Sequence, residues 1–290
     1  MQLNAKTVHY FCWCTGRVSC TRFPLKTELV RQVNDYVGRS FVETNRRTGL
    51  DITRIAVDEM HTMFQGVFQD WTSLALWRLI LDDVLQVGSA IAVDDTHKLR
   101  ASPLNTALRA FYSERRAAGH ATDEITGSLI EVIGKHDDPQ LSCKAAASGD
   151  LLRFAMTMVR QHRDSITTGE HLFVAGQALE QYLTITRHAG AQLEPQEQRA
   201  LIEGCLRFRR AAPLCGCRFR PKHHLYVHLV YSAQVFGNPR VWTSTWVDES
   251  MNSMLACVAK SAHAWTWSRR ILSSFAHGGG PASHGKRKRV

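Results

Sequence analysis

The sequence predicts a mainly α protein. Apolar residues recur at three- and four-residue steps through the middle of the chain, and short Gly, Asp and Pro stretches separate these periodic runs. Strand-like stretches are confined to the short segments 51–57 (DITRIAV) and 241–247 (VWTSTWV). No internal repeat interrupts this pattern.

The first helix follows residues 51–57. From Met60, the residues Met63, Phe64, Val67, Phe68, Trp71, Leu74, Ala75 and Leu79 form one apolar stripe, as a helix with one buried face requires. Asp58 and Glu59 stand where acids complement the positive end of the helix dipole. Further helices are expected over Pro103 to Ala118, Gly149 to His162, Glu170 to His188 and Pro195 to Arg210. Ser148 marks the start of one, and Glu194-Pro195 with Glu197 in the first turn marks another. The chain should turn at Gly237-Asn238-Pro239, and a last helix should run from Asp248-Glu249 to about Lys260. The tail HGGGPASHGKRKRV has the glycine and charge content of a disordered end.

Composition narrows the function. A hydrophobic share of 44% in 290 residues is enough for a real core, and a formal charge of +10 favours a polyanionic partner over an acidic substrate. The alternative is a basic surface with no such role. Arg78, Asp82 and Asp83 interrupt the longest apolar run, so no membrane partner is expected. The N-terminal stretch lacks the apolar segment and small-residue cleavage site of a secretory signal, so reduced cysteines are expected. Cys12/Cys14 and Cys215/Cys217 are spaced more closely than the usual zinc pairs. A composite zinc site from both pairs, or one joined by His223 and His224, stands against the preferred alternative of partly buried thiols.

Several side chains carry candidate chemistry. Asp58 and His61 are three apart and share one side of a helix, either as a helix opening with a satisfied histidine or as half of a site completed elsewhere. His224 and His228 are four apart, but no Glu follows His224 as a zinc-protease motif requires. Arg218, Arg220 and Lys222 are candidates for phosphate contact, or for a solvated basic face. The run Lys286-Arg287-Lys288-Arg289 reads as a nuclear-localisation and DNA-contacting segment, or as a solubilising tail.

VDEMHTMFQGVFQDWTSLAL resembles the segment after the second catalytic Asp in eukaryotic cut-and-paste DDE transposases of the CACTA and Plavaka-like group. The shared features are Asp58-x-x-His61 and the Gly66-Val67-Phe68 step. PKHHLYVHLVYSAQVFGNPRVWTSTWVDESMNSMLA resembles that group's later block, through Lys222, His224, Gly237 and Glu249. The resemblance implies a helical insertion-like domain with remnants of an RNase H-like α/β core. The implied divisions are a core remnant at 1–57, the insertion-like domain at 58–221, a core-like segment with the acidic helix at 222–276, and a basic tail at 277–290.

In such enzymes three carboxylates hold two Mg²⁺ ions for phosphodiester transfer. By resemblance Glu249 is the third acid, with Asp248 as its rival. Asp58 and His61 organise the core beside the insertion, so Glu249, Asp58 and His61 are the candidate catalytic residues, and Glu249 and Asp58 the candidate metal ligands. The family's first two acids belong on core strands upstream, where this chain offers only Glu28, Asp35, Glu43 and Asp51, none at the end of a convincing apolar strand. The expectation is therefore a truncated or domesticated, nuclear relative. It would bind DNA without strong sequence preference, with a second copy or a transposase as a further partner, and would use Mg²⁺ only if active. An active strand-transferase and a helical interaction protein with no nucleic-acid role are the competing classes.

Overall fold

The computed structural model describes residues 57–86, 93–134 and 138–246. They divide into a unit ending at Thr243 and a second beginning at Ser244, of which only 244–246 are described. The first unit is mainly helical, and no strand occurs among the described residues. A π-helical segment, Met60–Val67, runs directly into α1 (Phe68–Leu81). There follow α2 (Val93–Ala117), the short α3 (Leu129–Ile133), α4 (Ala145–His162), α5 (Gly169–His188), α6 (Pro195–Ala211), α7 (Pro221–Phe236) and the single turn α8 (Pro239–Trp242).

The π segment and α1 form the axis of the fold. Instead of one apolar stripe, α1 buries Phe68, Trp71, Ala75, Leu76, Trp77, Leu79 and Ile80, together with Thr72 and Ser73. A helix apolar on most of its circumference belongs inside a bundle, and its neighbours here are α4, the π segment, α2, α3 and α5. Around it α4, α5 and α6 pack in succession, while α7 lies against the π segment and α6. Gly176 sets the approach of α5 to the axis, because a Cβ there would run into the Trp71 ring and Met156 Sδ.

Three starts and turns depart from expectation or meet it for clear reasons. The helix expected from Pro103 begins at Val93 and holds Pro103 within it. Ser148 is not a cap but lies buried inside α4, where its hydroxyl meets the carbonyls of Phe64 and Ala145, each at 2.7 Å. Glu194-Pro195 does open α6, and the Glu194 N–H donates to Glu197 Oε2 at 2.9 Å.

The turn at Gly237-Asn238-Pro239 is present and is built on one side chain. The fully buried Asn238 donates from Nδ2 to the carbonyls of Thr186, Ala189 and Gly190 at 3.0, 3.2 and 3.1 Å, and accepts the Arg240 N–H on Oδ1 at 3.1 Å. It therefore closes the end of α5 and opens α8 at once. With Pro239 in the first turn, Val241 and Trp242 become helical, which overturns the strand expected over 241–247. Residues 51–56, the helix expected from Asp248 and the tail lie outside the described residues. The division expected between 221 and 222 falls at the first turn of α7, within the first unit.

Candidate functional site

Asp58 is the residue that opens the first helix. Its carboxylate accepts the N–H of Met60 at 3.2 Å and of His61 at 3.1 Å, so two of the orphan donors at a helix start are satisfied by one side chain. The same carboxylate meets His61 Nδ1, so the three-residue spacing does bring this pair together. Both side chains remain partly accessible, at 23% and 32% for Asp58 and His61. Glu59, by contrast, is completely buried. Burial pushes the Tyr182 phenol well up, the nearby Glu59 charge adds to that rise, and Arg240 opposes it.

One turn further on, the helix widens. The Phe68 N–H reaches back five residues to the Met63 carbonyl, and Gln65 leaves helical geometry at φ −98° and ψ 17°. Carbonyls beside this bulge receive donors from elsewhere: Phe64 from Ser148, and Gln65 from the Nζ of Lys222. Lys222 reaches that carbonyl across Gly66, where an added Cβ would press on the lysine Cδ and Cβ. Burial lowers the Lys222 pKa, while the charges of Asp70 and Asp58 support the ammonium form. Two segments 157 residues apart thus meet at the bulge.

The start of α7 builds a second charged cluster against α1. Arg220 forks between two carboxylates, donating from Nη1 to Asp70 at 2.9 Å and from Nη2 to Asp138 at 2.7 Å. Its backbone N–H donates to His223 Nδ1 at 3.1 Å, which leaves the His223 proton on Nε2, 3.7 Å from Cys217 Sγ. The 3.7 Å approach of Asp70 to His223 Nδ1 is then a meeting of two acceptors, not an ion pair. Burial raises Asp70 to about 6 against the pull of Arg220 and Lys222, and burial with Arg220 lowers His223 to about 4. His223 is neutral at neutral pH and stacks on Phe208 at 5.8 Å between ring centroids.

Of the basic residues singled out in this region, Arg218 is exposed, whereas Arg220 and Lys222 have internal partners. His224 and His228 also meet, with Nε2 atoms 2.8 Å apart, and burial holds His228 down to about 4. Cys143, Cys205, Cys215 and Cys217 are free thiols, and burial raises them to about 11, 12, 11 and 12. Among the described residues no three His, Cys, Asp or Glu side chains come together in a group that could hold a metal ion. Cys12, Cys14, Cys20 and Cys257 lie outside the described residues, as do Glu249, Asp248, Lys286, Arg287, Lys288 and Arg289.

Sequence reasoning missed Gln65, Asp70 and Asp138 as parts of these clusters, and it placed Glu59 at the helix start without its complete burial. Asp70 carried a signal, an acid inside an otherwise apolar helix, but its partner Arg220 stands 150 residues away. No family model, curated protein or solved structure matches this chain. No helix among the described residues is long and apolar enough to cross a membrane.

Proposed function

We propose that this chain is a transposase-derived protein, catalytically incomplete, that binds DNA through its phosphates without strong sequence preference. The observation that carries the reading is the Lys222 bridge to Gln65 across Gly66, since it joins the two segments that separately resemble the transposase blocks. The return of the chain supports it as well: the Thr243 carbonyl accepts the Glu59 N–H at 3.2 Å, shortly before Glu249 in sequence. The +10 charge supplies the sequence-independent attraction. Catalytic incompleteness rests on the sequence, where Glu28, Asp35, Glu43 and Asp51 occupy no convincing strand ends. Without those acids, Mg²⁺ would lack the ligands that phosphoryl transfer needs.

One observation favours a second reading, a helical interaction protein with no nucleic-acid role. Arg220 and Lys222 point their charge into the fold, which removes two of the expected phosphate contacts. The deciding experiment incubates the full chain with a DNA duplex over a salt series, then assays nicking and strand transfer with Mg²⁺ or Mn²⁺. Glu249→Ala and Asp58→Ala variants run alongside. Weak, steeply salt-dependent binding without cleavage supports the proposal. Metal-dependent cleavage lost in either variant makes the chain an active enzyme, and no binding even at low salt makes it an interaction protein.

A further inference from the structure

The outer face of α4, α5 and α6 carries an open groove of about 440 Å³, lined by Arg153 from α4, Arg207 from α6, and Gln177, Glu180, Gln181 and Thr184 from α5. The α5 residues recur at three- and four-residue steps, so they form one polar stripe along the groove floor, and Arg187 extends that stripe by another turn.

The charges in the groove are unbalanced. Its one carboxylate, Glu180, is held by Arg160 at 3.0 Å, and the buried Asp150 nearby is held by Arg115 at 3.2 Å. Among the described residues no carboxylate lies within ion-pair distance of Arg153, Arg187 or Arg207. Arg207 instead donates to the Gln181 side chain. Burial, then the charges of Arg187 and Arg115, lower the Arg153 pKa, with Asp150 and Glu180 offsetting only part of this. Arg187 is lowered in the same way, by burial and then by Arg240. Guanidinium groups stay charged at neutral pH, so this repulsion stands in the free protein and an anion in the groove would relieve it.

We infer that this groove is a binding site for the phosphodiester backbone of duplex DNA, with Arg153 and Arg207 each contacting phosphate. The inference rests on the DNA-binding reading above and assigns the contact to a face that none of the residues of the two transposase-like blocks occupies. The groove is open, and arginines from two helices, α4 and α6, line it, which suits an extended polyanion better than a single small phosphate. The side-chain amides of Gln177 and Gln181 on its floor provide neutral hydrogen-bonding groups that read no particular base.

The test measures binding of the full chain to a fluorescein-labelled duplex of about 20 base pairs by anisotropy across a potassium chloride series. Arg153→Gln with Arg207→Gln should flatten the slope of log affinity against log salt by about 2, since each lost phosphate contact removes about 0.9. Affinity near 0.1 M salt should fall by about tenfold or more. Arg207→Gln alone, at an exposed position that the fold should tolerate, should flatten the slope by about 1. Arg199→Gln, exposed on α6 but outside the groove lining, should leave the slope as in the parent. An unchanged slope in the folded double variant overturns the groove assignment while leaving DNA binding in place. Failure of the parent chain to bind any duplex overturns both.

Discussion

Lys222 donates its ammonium to the backbone carbonyl of Gln65, and its aliphatic stem lies against Gly66 on the way. Neither half of this contact works alone. The carbonyl is turned outward because Gln65 leaves helical geometry, and the stem fits because residue 66 has no side chain.

Gly66→Ala should therefore destabilise the protein although alanine is the better helix former. Crowding the lysine stem should lower the stability by about 1–3 kcal/mol in urea unfolding. Shortening the stem with Lys222→Ala should relieve part of that loss, so the double variant should be more stable than the sum of the single losses. Strict additivity would show that the two residues do not touch in solution.

Arg220→Met should remove the fork and leave Asp70, 13% exposed, beside an uncharged neighbour. A loss of roughly 2 kcal/mol is expected, lower than for a fully buried pair because the Arg220 side chain is itself 30% exposed. Adding Asp70→Asn should recover most of it, as the abandoned charge is the main penalty. A double variant as unstable as Arg220→Met would refute this account.

Stability should rise with pH between about 4 and 6.5. His223 and His228 both fold with pKa values lowered to about 4, so the folded state resists protonation, and their contribution is complete only above the unfolded value near 6.5. Asp70 acts in the opposite sense: its folded pKa of about 6 lies above its unfolded value, so its contribution is full at low pH and is lost as pH rises through 6. Two histidines outweigh one aspartate. In Asp70→Asn the opposing contribution disappears, and the pH dependence measured by thermal unfolding should become steeper. A flat profile in both proteins would exclude this balance.

Cys205 and Cys217 should resist alkylation at pH 8 in the folded protein. Burial raises both thiols to about 12, and the thiolate is the reactive form. Peptide mapping by mass spectrometry should find these two unlabelled until denaturant is added. Rapid labelling of either in native buffer would contradict their placement.

The legible part of this fold was its helical periodicity. Apolar spacing located α4, α5 and α6 to within a few residues, and the Glu194-Pro195 start was readable because its capping partner Glu197 is local. What spacing could not supply was the environment on the far side of a helix. The stripe from Met63 to Leu79 is only part of what α1 buries, and no local rule distinguishes a one-sided helix from a central one. The charged clusters were hidden for the same reason. Arg220 meets Asp70 and Asp138, and Lys222 meets Gln65, across long stretches of chain, so their inward roles follow from packing alone. Asp58 with His61 was the exception, being a contact made within one helical turn.

The three carbonyls gathered by the Asn238 amide have a mechanical consequence. Loosening the last turn of α5 takes away the acceptors that hold Asn238, and α8 then loses its cap. Thr243 follows α8 directly, and its carbonyl is what the Glu59 N–H rests on. Fraying that begins at His188 would pass through one side chain to the first turn beside Asp58. The end of α5 and the first turn beside Asp58 should therefore exchange their amide hydrogens as a single cooperative block, although more than 100 residues separate them in sequence.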